Sequence, residues 1–242
     1  MSTLFCLHGF SGSPQSFDFL PTGSARVVPA LIGHAGSSAN DSVLRFEDEV
    51  DRLAALAPSE PLHLVGYSLG ARLALGFAVR HGARVARLTL VSAHPGLATE
   101  AERTARRAAD AAWCELLQTR GIEAFVSAWQ ALPLWASQAR LSSDRSTQKQ
   151  KERLTHEALG LCRSLRVTGL AEMPNYAPAL RELTLPVDVL AGALDSKFCA
   201  LAATIAQSLP CARLEIVPGA GHDLLLERPD FITEVIQRRN PA

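Results

Sequence analysis

Short apolar runs alternate along this chain with longer stretches whose apolar residues recur at helical spacing. The short runs predict buried strands, and their alternation with helices is typical of an α/β fold, a mostly parallel sheet with helices on both faces. We predict strands at 3–7, 25–29, 62–66, 87–91, 186–191 and 213–217. Helical patterns separate these strands at 42–57, 69–81, 196–208 and 229–238.

The segment 94–180 interrupts this alternation. It contains no convincing strand pattern, and we predict helices at 99–118, 121–130 and 150–168. A helical segment inserted between two core strands is most simply a cap over a ligand site. The sequence therefore predicts an α/β core formed by residues 1–93 and 181–242, with a helical cap at 94–180.

A Gly-x-Ser-x-Gly motif stands at the end of the third predicted strand. Gly66, Ser68 and Gly70 follow an apolar run and lead at once into a helical pattern. This strand–turn–helix context is the one in which a nucleophile elbow lifts its serine above a sheet. The bland alternative is a glycine-rich turn with an idle serine. The context favours a nucleophilic Ser68.

The partners of such a serine are expected later in the chain, in the order acid and then histidine. Asp195 follows the fifth predicted strand, and His222 follows the sixth. In this arrangement His222 takes the proton of Ser68, and Asp195 orients the imidazole ring. Other histidines lack this placement: His63 belongs to a strand, and His156 is expected in solvent.

The loop after the first predicted strand can supply an oxyanion hole. In the α/β-hydrolase fold, one backbone N–H comes from this loop and another from the residue after the nucleophile. Those donors are Phe10 and Leu69. His8-Gly9 could also be an ordinary turn, but strand, loop and elbow occur in the order that this fold requires. The predicted fold is therefore an α/β-hydrolase with a helical cap between core strands.

Composition narrows the class of protein further. The 242 residues carry 24 basic and 24 acidic side chains, which argues against nucleic-acid or membrane-surface binding. No apolar run approaches the ~20 residues of a membrane span, and the first strand begins too early for a signal peptide. Five cysteines without C-x-x-C spacing predict reduced thiols in a cytoplasmic protein with no metal site. We expect that the protein uses no cofactor and that it is a monomer or a small homo-oligomer.

Arg72 is unusual because it lies in an otherwise apolar helical run, four residues after Ser68. Residues four apart share a helix face, so its side chain is expected on the side of the nucleophile. It could reach solvent or pair with an acid of the cap, or its guanidinium could await a carboxylate or phosphate. In the cap, Arg106 and Asp110 have the i, i+4 spacing of an ion pair.

Further motifs are shared with one lineage of α/β-hydrolases, and they run nearly from end to end of the chain. The chain resembles the 2-succinyl-6-hydroxy-2,4-cyclohexadiene-1-carboxylate synthases, which eliminate pyruvate in menaquinone biosynthesis. The elbow itself is common to many hydrolases. The more distinctive matches are Arg72, Pro95-Gly96-Leu97 with Glu102-Arg103, Phe125 with Trp129, and Asp195-Ser196-Lys197-Phe198.

The resemblance implies a lyase in which the triad acts as a base. Its small-molecule substrate carries three carboxylates, and the reaction removes a ring proton and expels pyruvate. Ser68, activated by His222 and Asp195, would take the proton, while the Phe10 and Leu69 amides stabilise the enolate. The resemblance assigns substrate binding to Arg72, Arg106, Arg153, Tyr67 and Trp129.

Two other functions remain open at this point. An esterase, thioesterase or C–C hydrolase would use the same triad through an acyl-enzyme. A non-catalytic binding module of the same fold is the second alternative, against which the complete triad counts. Activity on simple aryl esters separates the hydrolase from the lyase, and labelling of the serine by a fluorophosphonate detects a reactive nucleophile.

Overall fold

A single parallel sheet organises the protein. The computed structural model describes residues 2–37 and 42–238. Within these ranges six strands pair in the order β2-β1-β3-β4-β5-β6, and every pairing is parallel. The strands are β1 (Leu4–Leu7), β2 (Arg26–Val27), β3 (Leu62–Tyr67), β4 (Val85–Val91), β5 (Val187–Gly192) and β6 (Ala212–Val217).

The structure confirms the predicted α/β class, and it places a strand at each of the six predicted positions. The α-helices are α1 (Phe46–Leu56), α2 (Leu69–His81), α3 (Glu100–Gln130), α4 (Ser143–Leu154), α5 (Ala158–Thr168), α6 (Ser196–Ser208), α7 (Leu224–Glu227) and α8 (Pro229–Gln237). None of the helices in the described ranges combines the length and apolar composition that a bilayer span requires.

Successive side chains of a strand point to opposite faces of the sheet. Both faces of this sheet carry apolar side chains, and helices cover both of them. Phe5 and Leu7 of β1 belong to a core that includes side chains of α1, α2 and α6. Leu4 and Cys6, which alternate with them, belong to the opposite core with side chains of α7 and α8. Burial on both faces explains why the central strands β1, β3, β4 and β5 are largely apolar.

The segment between β4 and β5, here called the insertion (residues 94–180), has no strand in the structure and is mostly helical. The break predicted between 118 and 121 is present, because Gly121 is left-handed inside α3, with φ 76°. The continuous helix predicted at 150–168 is wrong, since the chain leaves helical geometry between α4 and α5. His156 lies in this break and is buried, not solvated, with its ring 5.3 Å from that of His34.

The loops that carry the predicted triad residues lie at the carboxyl ends of the strands. The chain leaves β3 at Ser68, β4 at Ser92 and β5 toward Asp195, and the loop after β6 carries His222. Ligands of open parallel sheets bind beyond this edge. The insertion leaves the sheet at the same edge, after β4, so its helices can close the space above these loops.

Candidate active site

Ser68 sits in a strained turn between β3 and α2. Its backbone has φ 52° and ψ −106°, an unfavourable combination for a residue with a side chain. A Cβ at Gly70 would lie 2.0 Å from the carbonyl oxygen of Leu7, and one at Gly66 would lie 2.4 Å from the Gly70 carbonyl oxygen. Only glycine fits at these two positions, which explains the Gly-x-Ser-x-Gly pattern.

The structure brings the three predicted triad residues together. Ser68 Oγ lies 3.0 Å from His222 Nε2, and His222 Nδ1 lies 2.8 Å from Asp195 Oδ2. The carboxylate accepts a hydrogen bond from Nδ1–H, and in this tautomer Nε2 is the acceptor that faces the serine hydroxyl. The other carboxylate oxygen, Oδ1, accepts the Phe198 N–H at 3.2 Å at the start of α6. This arrangement can draw the proton from Ser68.

Contacts that the sequence did not predict hold His222 in place. Ser92, which follows β4 with φ 51°, donates its hydroxyl to the His222 carbonyl oxygen at 2.8 Å. The Phe198 and Trp135 rings lie 4.4 and 5.5 Å from the imidazole ring. His222 is consequently buried. The available sequence signal for Ser92 is its position at the carboxyl end of a central strand.

A cavity of about 190 Å³ opens beside Ser68. Its lining carries three cationic side chains, and no aspartate or glutamate contributes to it within the described part of the chain. Six residues predicted for substrate binding or for the oxyanion hole line the cavity together with Ser68 and His222. They are Phe10, Tyr67, Leu69, Arg72, Arg106 and Trp129. The lining also includes His94, Trp135 and Lys197.

The loop that carries Phe10 packs directly against the elbow. A Cβ at Gly9 would lie 2.7 Å from the Tyr67 ring. The His8 ring fixes the loop from behind, because its Nε2 accepts the Leu31 N–H at 3.2 Å and its Nδ1 lies 2.9 Å from the Gly9 carbonyl oxygen. Burial lowers the pKa of His8 to about 4, so the ring is neutral at pH 7. Both residues predicted for the oxyanion hole, Phe10 and Leu69, line the cavity.

Arg72 points into this cavity from the first turn of α2. Its Nη1 donates to the Thr168 carbonyl oxygen at 2.8 Å, at the end of α5. Burial and, to a smaller extent, the Arg106 charge lower the pKa of Arg72 to about 9, and the Asp110 charge opposes both effects. The guanidinium remains charged at pH 7. Of the readings left open by the sequence, neither solvent exposure nor an ion pair describes its contact in the structure.

The predicted pair between Arg106 and Asp110 forms. Arg106 Nε lies 3.0 Å from both carboxylate oxygens of Asp110, and Nη2 lies 3.0 Å from Oδ1. Asp110 is buried and holds one edge of the guanidinium, while Arg106 lines the cavity. The i, i+4 spacing on α3 thus fixes the direction of this cation.

Arg153 and Trp129 complete the predicted binding residues. Trp129 lines the Ser68 cavity, with its ring 5.3 Å from that of Phe10. Arg153 is 2% exposed and lines a neighbouring cavity, with its guanidinium 5.1 Å from the centre of the Trp135 ring. Its Nε and Nη1 have no hydrogen-bond partner. Trp135 borders both cavities, and binding of substrate by Arg153 stays a prediction.

No group of three or more His, Cys, Asp or Glu side chains in the described ranges could hold a metal ion. All five cysteines are free thiols. The groups that the described residues bring to the cavity include Ser68 and His222 of the triad and three cationic side chains.

Comparison with known proteins agrees with this geometry. The model of the alpha/beta hydrolase family matches residues 4–235. A Bacillus subtilis (strain 168) protein provisionally named 2-succinyl-6-hydroxy-2,4-cyclohexadiene-1-carboxylate synthase is 36% identical over 96% of this chain and 87% of its own. The synthase of that name from Enterobacter sp. (strain 638) is 34% identical over 93% of this chain and 86% of its own.

The fold agrees equally well with a solved structure. The structure of MenH from S. aureus superposes with a TM-score of 0.91 at 30% sequence identity, covering 97% of this chain and 91% of that one. The insertion is included in that coverage. The chain belongs to the alpha/beta hydrolase family and, within it, to the family of the 2-succinyl-6-hydroxy-2,4-cyclohexadiene-1-carboxylate synthases.

Proposed function

We propose that this protein is a lyase that eliminates pyruvate from 2-succinyl-5-enolpyruvyl-6-hydroxy-3-cyclohexene-1-carboxylate, a step of menaquinone biosynthesis. The product is 2-succinyl-6-hydroxy-2,4-cyclohexadiene-1-carboxylate. The observation that carries the proposal is a complete triad that opens into a cavity lined by three cations and, among the described residues, by no acid. A substrate with three carboxylates fits such a lining, because guanidinium and ammonium groups bind carboxylates through charge-assisted hydrogen bonds.

Proton removal is the first step. Substrate and product differ by the enolpyruvyl group and one ring proton, at the carbon that bears the succinyl group. His222 accepts the Ser68 hydroxyl proton at Nε2, and the serine oxygen takes the ring proton, which regenerates the hydroxyl. Asp195 stabilises the imidazolium through Nδ1–H. No acyl-enzyme forms in this sequence.

Loss of the proton places negative charge on the succinyl carbonyl oxygen. The Phe10 and Leu69 amides are the donors for this oxygen. As the enolate collapses, a second ring double bond forms, the existing one shifts, and the C–O bond to the enolpyruvyl group breaks. The leaving pyruvate enolate receives the proton held on His222, so the triad returns to its initial state.

We propose that residues 94–180 form a cap that binds the carboxylates. α3 supplies Arg106 and Trp129, and the end of α5 contacts Arg72. Phe10 packs on the apolar cluster that α3 and α5 share, which ties the insertion to the oxyanion loop. Binding by Arg72, Arg106, Tyr67 and Trp129 places the ring over Ser68, and Arg153 is proposed to act with them.

We propose that the enzyme acts in the cytoplasm, as a monomer or small homo-oligomer, without a cofactor. Free thiols at all five cysteines support a reducing compartment. The proposed proton transfers need only side chains and amides that the chain supplies.

The decisive experiment is incubation of the purified protein with the enolpyruvyl cyclohexene substrate, with pyruvate release followed in ¹⁸O-labelled water. We expect pyruvate release, no ¹⁸O incorporation into the ring product, and little turnover of p-nitrophenyl esters. Rapid ester hydrolysis with burst kinetics and no pyruvate release would contradict the proposal and favour the hydrolase.

A further inference from the structure

His94 opens the insertion after β4, and no step of the proposed proton transfer uses it. Its Nδ1 accepts the Gly96 N–H at 3.1 Å. An acceptor at Nδ1 requires the neutral ring to carry its proton on Nε2, which is therefore a donor. The half-buried side chain lines the Ser68 cavity.

The turn that follows His94 is held rigidly. Gly96 has φ 112°, and a Cβ there would lie 2.5 Å from the Pro174 carbonyl oxygen. The Tyr176 N–H donates to the Pro95 carbonyl oxygen at 2.7 Å. The ring of His94 is thus positioned by backbone contacts before any ligand arrives, as a binding group should be.

Burial, reinforced by the positive charges nearby, keeps the His94 ring neutral. Burial lowers the pKa of His94 to about 4, and the charges of Arg72, Lys197 and Arg106 act in the same direction, while Glu102 opposes them. At pH 7 the side chain therefore offers a hydrogen-bond donor to an anion without adding a fourth positive charge to the cavity.

Lys197 approaches the same cavity from the first turn of α6. Its side chain is exposed, its Nζ lies 5.9 Å from the centre of the Phe198 ring, and it pairs with no carboxylate in the described ranges. It stands two residues after Asp195, so the helix that positions the triad acid also positions this ammonium group.

The two arginines of the cavity cannot supply all the donors that three carboxylates require. Arg106 gives Nε and Nη2 to Asp110, and Arg72 gives Nη1 to the Thr168 carbonyl oxygen. Each guanidinium is left with part of its fork. Further donors are needed in the cavity, and His94 and Lys197 also line it.

We propose that His94 and Lys197 complete a carboxylate-binding subsite with Arg72 and Arg106, in which His94 Nε2–H and Lys197 Nζ contact one carboxylate of the substrate. This inference rests on the proposed function for the identity of the substrate. It makes His94 and Lys197 specificity-determining residues. Neither takes part in proton transfer, so their contacts are the same in the ground state and the transition state.

The test compares two substitutions at one position. His94→Asn keeps an acceptor near the Gly96 N–H but is too short to present a donor at the place of Nε2. His94→Gln restores a donor of similar reach. We expect His94→Asn to raise the KM for the enolpyruvyl substrate about tenfold to a hundredfold with kcat unchanged, and His94→Gln to recover most of the loss.

Lys197→Gln provides a second variant that cannot fail through misfolding, because the side chain is exposed. We expect KM to rise about threefold to tenfold, with a weaker dependence of KM on salt concentration. Lys151→Gln, an exposed lysine outside this cavity, is the matched control and should leave KM unchanged. Equal KM values for both lysine variants would overturn the role of Lys197.

Calorimetric titration with succinate, a dicarboxylate probe, separates this inference from the proposed function. Weaker succinate binding in His94→Asn, restored in His94→Gln, supports the subsite even if the wild-type protein releases no pyruvate. Pyruvate release with unchanged KM and unchanged succinate affinity in His94→Asn would overturn the subsite while the proposed function stands. A fall in kcat at unchanged KM would also overturn it, because that result would place His94 in the chemical step.

Discussion

Arg87 and Arg72 lie near opposite ends of the sheet, and their guanidinium groups have different partners. At the amino end, Arg87 of β4 donates through Nε and Nη2 to Asp188 Oδ2, at 2.9 and 2.6 Å, and Nη2 also donates to the Val235 carbonyl oxygen. At the carboxyl end, Arg72 contacts a single carbonyl, that of Thr168. A cation whose donors are satisfied stabilises the fold, whereas a cation with donors to spare is available to a ligand.

The same contrast holds for histidines. His63, at the amino end, has its Nε2 2.8 Å from Thr89 Oγ1 and is closed off from solvent. His94, at the carboxyl end, lines the cavity and uses only its Nδ1 in a contact with the protein, the Gly96 N–H. The difference suggests that variants at the amino end will change stability and variants at the carboxyl end will change kinetics.

The largest expected effect lies at the centre of the carboxyl end. Ser68→Ala should lower kcat for pyruvate release by about 10⁴- to 10⁶-fold, because the triad acts as one unit. Its melting temperature should be unchanged, since alanine retains the Cβ and the backbone strain. Rates from pyruvate assays and thermal unfolding of the same sample check both statements. Near-normal turnover would exclude the triad mechanism.

The amino end should respond in stability alone. Arg87→Met leaves Asp188 buried and unpaired, which we expect to lower the free energy of unfolding by about 3–5 kcal/mol. The kcat/KM of the folded fraction should not change. In the double variant Arg87→Met/Asp188→Leu, which removes both charges, most of the stability should return. Denaturant unfolding of the three proteins measures this, and an altered kcat/KM would break the contrast between the two ends.

Much of the active site at the carboxyl end of the sheet was predictable from local sequence. The strand–turn–helix context around Ser68, and the placement of Asp195 and His222 after later strands, follow from apolar runs and turn residues. These signals are local, and the fold then requires the three to meet. Arg106 and Asp110 were predictable for the same reason, because their spacing is set within one helix.

What the sequence could not predict depends on contacts between distant segments. The helix expected at 150–168 is broken because the chain turns at 155–157 to bury His156 against His34. Ser92 donates to the His222 carbonyl oxygen and His94 accepts the Gly96 N–H, and such contacts with a backbone group leave no pattern of residue types in the sequence. Arg153 was assigned by resemblance alone, and only the structure places it beside Trp135.

Arg72 provides the direct counterpart of Arg87. Arg72→Ala should lower kcat/KM by roughly tenfold to several hundredfold, since it removes a charge-assisted contact to a carboxylate. Arg72→Lys should recover little, because an ammonium cannot reproduce the planar fork. Stability should fall by only about 1 kcal/mol, for the lost hydrogen bond to Thr168. An unchanged kcat/KM with a large loss of stability would make Arg72 a structural residue like Arg87.

The smallest expected effect is a pH dependence that His63 contributes to stability. Burial lowers its pKa to about 3, and the Arg87 charge adds to this, whereas the unfolded chain has a histidine pKa of about 6.5. The unfolded state therefore binds the proton first, and stability that is fully present above pH 6.5 is lost as the pH falls toward 3. At pH 5 this loss is about 2 kcal/mol.

His63→Gln can keep a hydrogen bond to Thr89 but does not titrate, so its unfolding free energy should fall less between pH 7 and pH 5 than that of the wild type. The unfolding free energy of His94→Gln should likewise fall less than that of the wild type between pH 7 and pH 5, because burial lowers the pKa of His94 to about 4. Only the variants at position 94 lie on the substrate cavity, so KM should be unchanged in His63→Gln. Urea unfolding at both pH values, together with KM at pH 7, measures these differences. A change of KM in His63→Gln would show that the two ends of the sheet are coupled, and the assignment of stability to one end and binding to the other would then be wrong.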